Sequence, residues 1–182
     1  SISFELNGRP SNEEIINETR ESQNPFKGFI GEWTLKDNNW TQNWGNQLET
    51  IQIPAHHTTS SQINTEYSLL SIIDGPEPNG HIYWTYDPAS KKVTYSSSFG
   101  SRRIGRGTGS FDTKGNLKLK VHFTDEAEGT YRIYTYTWIN EHEYELKSIQ
   151  YDKAGKETGL FYGGNFVRIP NSPKAKKAYF KQ

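Results

Sequence analysis

The stretch NLKLKVHF, residues 116–123, alternates cleanly: Leu117, Leu119, Val121 and Phe123 fall on one face, and Lys118, Lys120 and His122 on the other. A period of two belongs to a strand with one face buried and one face in water. Similar runs recur along the chain. They predict strands over 29–35, 41–46, 48–54, 59–66, 67–73, 81–87, 92–100, 103–112, 116–125, 129–139, 143–152 and 157–169. The separators DGPEPNG, DPASKK, DTKGN, DEAEG, NEH and DKAGK carry the Asp, Asn, Gly and Pro of tight turns. Strand, turn and strand follow one another with no helical segment between them. That is the pattern of an antiparallel meander, and a sheet this long closes to remove its edges. One strand is unusual. In YRIYTYTWI, residues 131–139, Tyr131, Ile133, Thr135 and Thr137 share a face while Arg132, Tyr134, Tyr136 and Trp138 share the other. Neither is an ordinary wet surface, so one face is expected to line an interior and the other to be covered from outside.

The ends differ from this middle. In RPSNEEIINETRES, Ser11 can cap a helix while Glu14 reaches back to it, which predicts a short helix over about residues 11–21. Ile15 and Ile16 give that helix a single apolar patch. The expected division is an N-terminal segment over 1–25, a barrel over 26–169 and a basic tail over 170–182 with an aromatic hook at Tyr179 and Phe180.

Composition narrows the function classes. The 182 residues carry 21 Lys and Arg against 21 Asp and Glu, a net charge of zero. Electrostatic capture of nucleic acid or of an anionic membrane is therefore not expected. The 5 Trp, 11 Tyr and 9 Phe suit a β-rich core or a ligand cavity better than a helical bundle. The absence of cysteine excludes disulfides and thiolate metal sites. No apolar run approaches the roughly 20 residues that cross a bilayer, and no secretory core is evident. With Ser1 first and no methionine, the expected location is the cytoplasm, a trimmed secreted or periplasmic form staying open.

The segment FKGFIGEWTL resembles the Gly-x-Trp opening strand of the calycins, the lipocalin-like barrels. The longer block GHIYWTYDPASKKVTYSSSFGSRRIGRGTGSFDTKGNLKLKV and the closing YDKAGKE hairpin resemble an uncharacterised bacterial lipocalin-like family of unknown function. The resemblance covers about residues 26–169 and implies an all-β, antiparallel up-and-down barrel of about eight to ten strands around an internal cavity. It also implies that Trp33 plugs one end of the barrel. The haem-carrying barrels of the same clan place a histidine on a late strand, and FYGGNFVRI has none, so no haem is expected.

Three stretches carry candidate chemistry. His56 and His57 are adjacent, so one at most enters the interior; it would act there as an acid, base or metal ligand. The other reading is a strand-end pair with one ring in solvent. His81, His122 and His142 are scattered, and no metal site is predicted. SRRIGRGTGS lacks the Gly-Lys-Ser/Thr end of a phosphate loop and no helix follows it. Gly105, Gly107 and Gly109 share one strand face and suit a barrel corner or a bulky neighbour. Of Arg102, Arg103 and Arg106, one inside the barrel could clamp a carboxylate. DNNWTQNWGN sets Trp40 and Trp44 on one face among amides, a platform for a sugar or flat ligand at a barrel mouth, or else a packed cap. Asp125 and Glu126 sit in a turn and read as solvated.

The prediction is a barrel that binds a small, partly apolar or aromatic ligand, with Trp40, Trp44, Tyr134, Tyr136 and Trp138 lining it and His57 and Arg103 as polar anchors. Two rivals stay open. One is a cofactor-free isomerase, lyase or hydrolase with His57 as general base. The other is a filled barrel that serves as an interaction module. No cofactor, nucleic acid or membrane partner is expected, and a homodimer stays open.

Overall fold

The alternation of residues 117–123 appears as an unbroken succession of buried and exposed positions along one strand. That strand belongs to a computed structural model which describes residues 24–63, 67–76 and 79–170. The helix expected over 11–21 and nearly all of the expected tail lie outside the described residues. So does any outer cover they would give to residues 131–139.

Twelve strands are present among the described residues, each overlapping a predicted one. They are β1 (Gly31–Leu35), β2 (Asn39–Asn43), β3 (Glu49–Gln52), β4 (His57–Ser61), β5 (Ser68–Asp74), β6 (Gly80–Asp87), β7 (Lys92–Phe99), β8 (Arg103–Phe111), β9 (Leu117–Phe123), β10 (Tyr131–Asn140), β11 (Glu143–Tyr151) and β12 (Glu157–Arg168). From β4 to β12 each pairs antiparallel with the next, and β1 pairs with both β4 and β12 to close the ring. β2 continues the course of β1 along β12, and β3 continues that of β4, so the wall has ten strands. This is the closed, antiparallel, lipocalin-like barrel that the sequence predicted.

The two bent strands set the phase of the interior. A one-turn 3-10 segment, Lys36–Asn38, separates β1 from β2 and holds Asp37 and Asn38 at φ of 54° and 58°. Between the pairs Leu35–Phe166 and Thr41–Gly163, one strand advances farther than its partner by this inserted turn. Across the hairpin, Pro54 and Ala55 make the matching break, with Ala55 at φ 61°. Each break shifts the alternation by one position. Trp33 and Leu35 are buried before the first break, and Trp40 after it. Ile53 is buried before the second, and His56 and Thr58 after it.

Turn chemistry accounts for the connections. The Asp112 carboxylate accepts the backbone N–H groups of Lys114 (2.8 Å) and Asn116 (2.9 Å), with Gly115 at φ 81°. Asp152 does the same for Ala154 and Lys156, with Gly155 at φ 82°. Both are Asp-started turns whose left-handed position falls to glycine. On β8 the inward positions between Arg103 and Phe111 are all glycine, because no side chain fits there. A Cβ on Gly105 would lie 2.6 Å from the Phe123 ring, and one on Gly109 would run into the Lys118 carbonyl.

One end of the barrel is plugged. Trp33 is fully buried, and its indole N–H donates to the Phe29 carbonyl at 2.9 Å. The Arg168 guanidinium lies over the Trp33 ring at 4.3 Å and donates to the carbonyls of Ile30 (2.7 Å) and Gly28 (2.8 Å). Phe29, Trp138 and Tyr144 pack edge-on and tilted around the plug, with ring centres 4.6–5.4 Å apart. The tryptophan that opens the first strand thus closes the barrel floor.

Candidate functional site

Above the plug the barrel encloses a cavity of about 670 Å³, within the range of small-molecule sites. β10 shows how the wall is built. Arg132, Tyr134 and Tyr136 point inward and are buried, whereas Tyr131, Ile133, Thr135 and Thr137 lie on the outer face and are half-buried. Outside, Tyr131 stacks on Tyr151 at 5.5 Å and receives the Lys120 ammonium at 4.2 Å. The strand is thus a wall with an aromatic inner face, and its outer face carries one aromatic pair at the Tyr131 end.

The interior is lined by Trp40, Trp84, Tyr134, Tyr136, Tyr144 and Tyr162, with aliphatic area from Ile53, Ile73, Ile82 and Leu146. Trp84 meets Tyr136 edge-on at 5.2 Å. Trp40 and Trp44 both stack on Tyr162, at 5.7 and 5.4 Å, so the two tryptophans do share a face. Trp44 is 52% exposed. With Phe99, Gly100 and Arg103 it marks the open end of the cavity. Burial, the largest cause, pushes the Tyr134 and Tyr136 hydroxyls well above their ordinary pKa.

At the open end lies a compact charge network. The Arg103 guanidinium donates to Asp125 (2.9 Å) and the Tyr162 hydroxyl (2.8 Å), lies 3.4 Å from Glu126, and covers the Phe123 ring at 3.8 Å. Arg132 is fully buried. Its Nε and Nη2 grip the Glu126 carboxylate at 2.7–2.9 Å, and Nη1 donates to Ser148 Oγ at 3.2 Å. The hydroxyls of Tyr134 and Tyr162 are hydrogen-bonded to each other. Burial alone would raise the Glu126 carboxyl, but Arg132, with Arg103 behind it, holds it below its ordinary value. Glu126 is therefore no solvated turn residue: its side chain is only 7% exposed, because the barrel turns Arg132 inward and an interior guanidinium needs a carboxylate.

Several predicted site residues sit elsewhere than expected. His57 is exposed on the outer face, and its neighbour His56 lines the cavity, because the break at Pro54–Ala55 shifts the inward phase. Burial first, and the nearby His57 charge second, lower the His56 pKa to about 4. Trp138 shares its face with Tyr134 and Tyr136 but packs into the plug, its indole N–H donating to the Gly115 carbonyl at 3.2 Å. Arg102 and Arg106 are exposed, which leaves Arg103 as the arginine of that run at the cavity. Tyr162, Trp84 and His56 were not among the predicted site residues. The alternation of Tyr162, Gly164 and Phe166 could have found the first. The side chains of Trp84 (Nε1) and His56 (Nδ1) each bury a polar nitrogen with no hydrogen-bond partner among the described residues.

No protein-family model matches the chain, and no curated protein matches it either. Solved structures do. The S-type phycobiliprotein lyase CPES from Guillardia theta aligns over 90% of this chain and 100% of its own, with TM-score 0.53 and 14% identity. The protein EF1p2_mFAP2b bound to DFHBI aligns over 80% of this chain and 98% of its own, with TM-score 0.36 and 11% identity. A protein of unknown function from the DUF3598 family of Nostoc punctiforme covers the same shares, with TM-score 0.22 and 7% identity. At such identities the lyase supports a common fold and nothing finer. Among the described residues no helix is long and apolar enough to cross a membrane, and no three His, Asp or Glu side chains gather as a metal site.

Proposed function

We propose that this barrel binds a small, partly apolar or aromatic molecule inside its cavity. The observation that carries the reading is an interior of about 670 Å³ walled by Trp40, Trp84, Tyr134, Tyr136, Tyr144 and Tyr162. A filled interaction module would have no such space. The phycobiliprotein lyase shares the fold; the support for binding is the cavity itself.

The catalytic rival has weaker support. Neither histidine fits the part well. His57 faces outward, and His56, with a pKa of about 4, is unprotonated at neutral pH but only a feeble base there. Binding is the reading we favour, with Trp40, Trp44, Tyr134 and Tyr136 as contact residues and Arg103 at the opening.

The test is fluorescence titration with N-phenyl-1-naphthylamine, an apolar aromatic dye, alongside native mass spectrometry of the purified protein. One saturable site is expected, together with a discrete small mass released on denaturation. Leu146→Trp, which fills the cavity, should weaken dye binding by about tenfold. Equal affinity in that variant would put the dye outside the barrel and refute the reading.

A further inference from the structure

We propose that the cavity selects uncharged, flat aromatic molecules and turns away ionised ones, because the charges at its border are already matched within the protein. The proposal deepens the ligand-binding reading and rests on it. Among the described residues no Asp, Glu or Lys lines the cavity, and Arg103 is the one permanently charged lining residue. That cation is engaged by Asp125 at 2.9 Å and Glu126 at 3.4 Å, while Arg132 is bound to Glu126 at 2.7 Å. Two guanidinium groups thus face two carboxylates, and the network is closed.

An anionic group brought to Arg103 would compete with Asp125 and lie beside Glu126. It would bring a third negative charge to two cations in a partly desolvated place. An ammonium group would fare no better, since the described lining offers it no carboxylate and Arg103 would repel it. What the wall does offer is neutral. Thr58 and Ser71 present hydroxyls, Gln42 presents an amide, and His56 is a neutral imidazole. The aromatic planes of Trp40, Trp44 and Tyr162 are near parallel, with interplanar angles of 22° and 27°, an arrangement that extends readily to another flat ring. Size, flatness and neutrality together describe the ligand class.

A matched pair of dyes separates charge from shape. N-phenyl-1-naphthylamine is neutral, and 1-anilinonaphthalene-8-sulfonate is the same ring system carrying a sulfonate. Titrated at neutral pH and low salt, the neutral dye should bind more tightly by about tenfold or more, as expected when an ion is buried without a free partner. Asp125→Asn removes one matching charge beside Arg103 and should raise sulfonate affinity relative to the neutral dye. Equal or tighter binding of the sulfonate by the unaltered protein would overturn the selection while leaving the cavity as a ligand site. An affinity ratio unchanged in Asp125→Asn would overturn its charge-matching basis. If neither dye bound, the ligand-binding reading would fall, and the selection with it.

Discussion

Acidification should weaken this barrel through one side chain, His56. In the unfolded chain that imidazole takes a proton near its ordinary value of 6.5, whereas in the cavity wall it resists until about 4. Between those values the unfolded state binds more protons than the folded state, so stability is lost as pH falls. Above 6.5 the contribution is fully present; it shrinks as pH drops toward 4 and is gone below that. Each pH unit of difference is worth about 1.4 kcal/mol, so going from pH 7 to pH 4.5 should remove about 2–3 kcal/mol. The burial behind the shift supports that magnitude, since His56 is only 4% exposed. Carboxylates held below their ordinary values, such as Glu126, lose their contribution mainly at lower pH and leave this window largely clear. The assay is urea denaturation followed by tryptophan fluorescence at half-unit steps from pH 7 to 4.5, for the unaltered protein and for His56→Asn. The unaltered protein should lose stability across the window, and the variant should be nearly flat. Parallel slopes in the two proteins would refute the assignment of the pH dependence to His56.

Arg132→Met should destabilise the barrel by about 3–5 kcal/mol, because it leaves the Glu126 carboxylate nearly buried with its main partner gone. Adding Glu126→Gln should restore much of the loss, and urea midpoints of the single and double variants check both statements. Gly109→Ala should cost about 1–3 kcal/mol or more through overpacking against the Lys118 carbonyl. A thermal melt unchanged from that of the unaltered protein would show that β8 and β9 can move apart at that point.

The division between what could be read locally and what could not is visible residue by residue. Alternation and turn composition are local properties, so Leu117–Phe123, the Asp112 and Asp152 turns and the twelve-strand meander could be read along the chain. Trp33 as an end plug was legible by resemblance and holds in the structure. The two faces of β10 were legible as sets, but both carried aromatics, so their direction was not.

That direction depended on contacts between distant residues. Extending the alternation of Ile51 and Ile53 points to His57; the left-handed Ala55 resets the phase and turns His56 inward instead. Glu126 looked like a wet turn residue until β10 brought Arg132 beside it. Trp138 shared a face with Tyr134 and Tyr136, yet its height along the barrel put it in the plug rather than the cavity. By itself the sequence determined the strands, their turns and the two sides of each strand, because spacing and turn propensity act over a few residues. Only the tertiary structure decided which side faces in, how deep each residue lies and which charges meet. Those outcomes follow from barrel closure and from breaks in register, which involve the whole sheet at once.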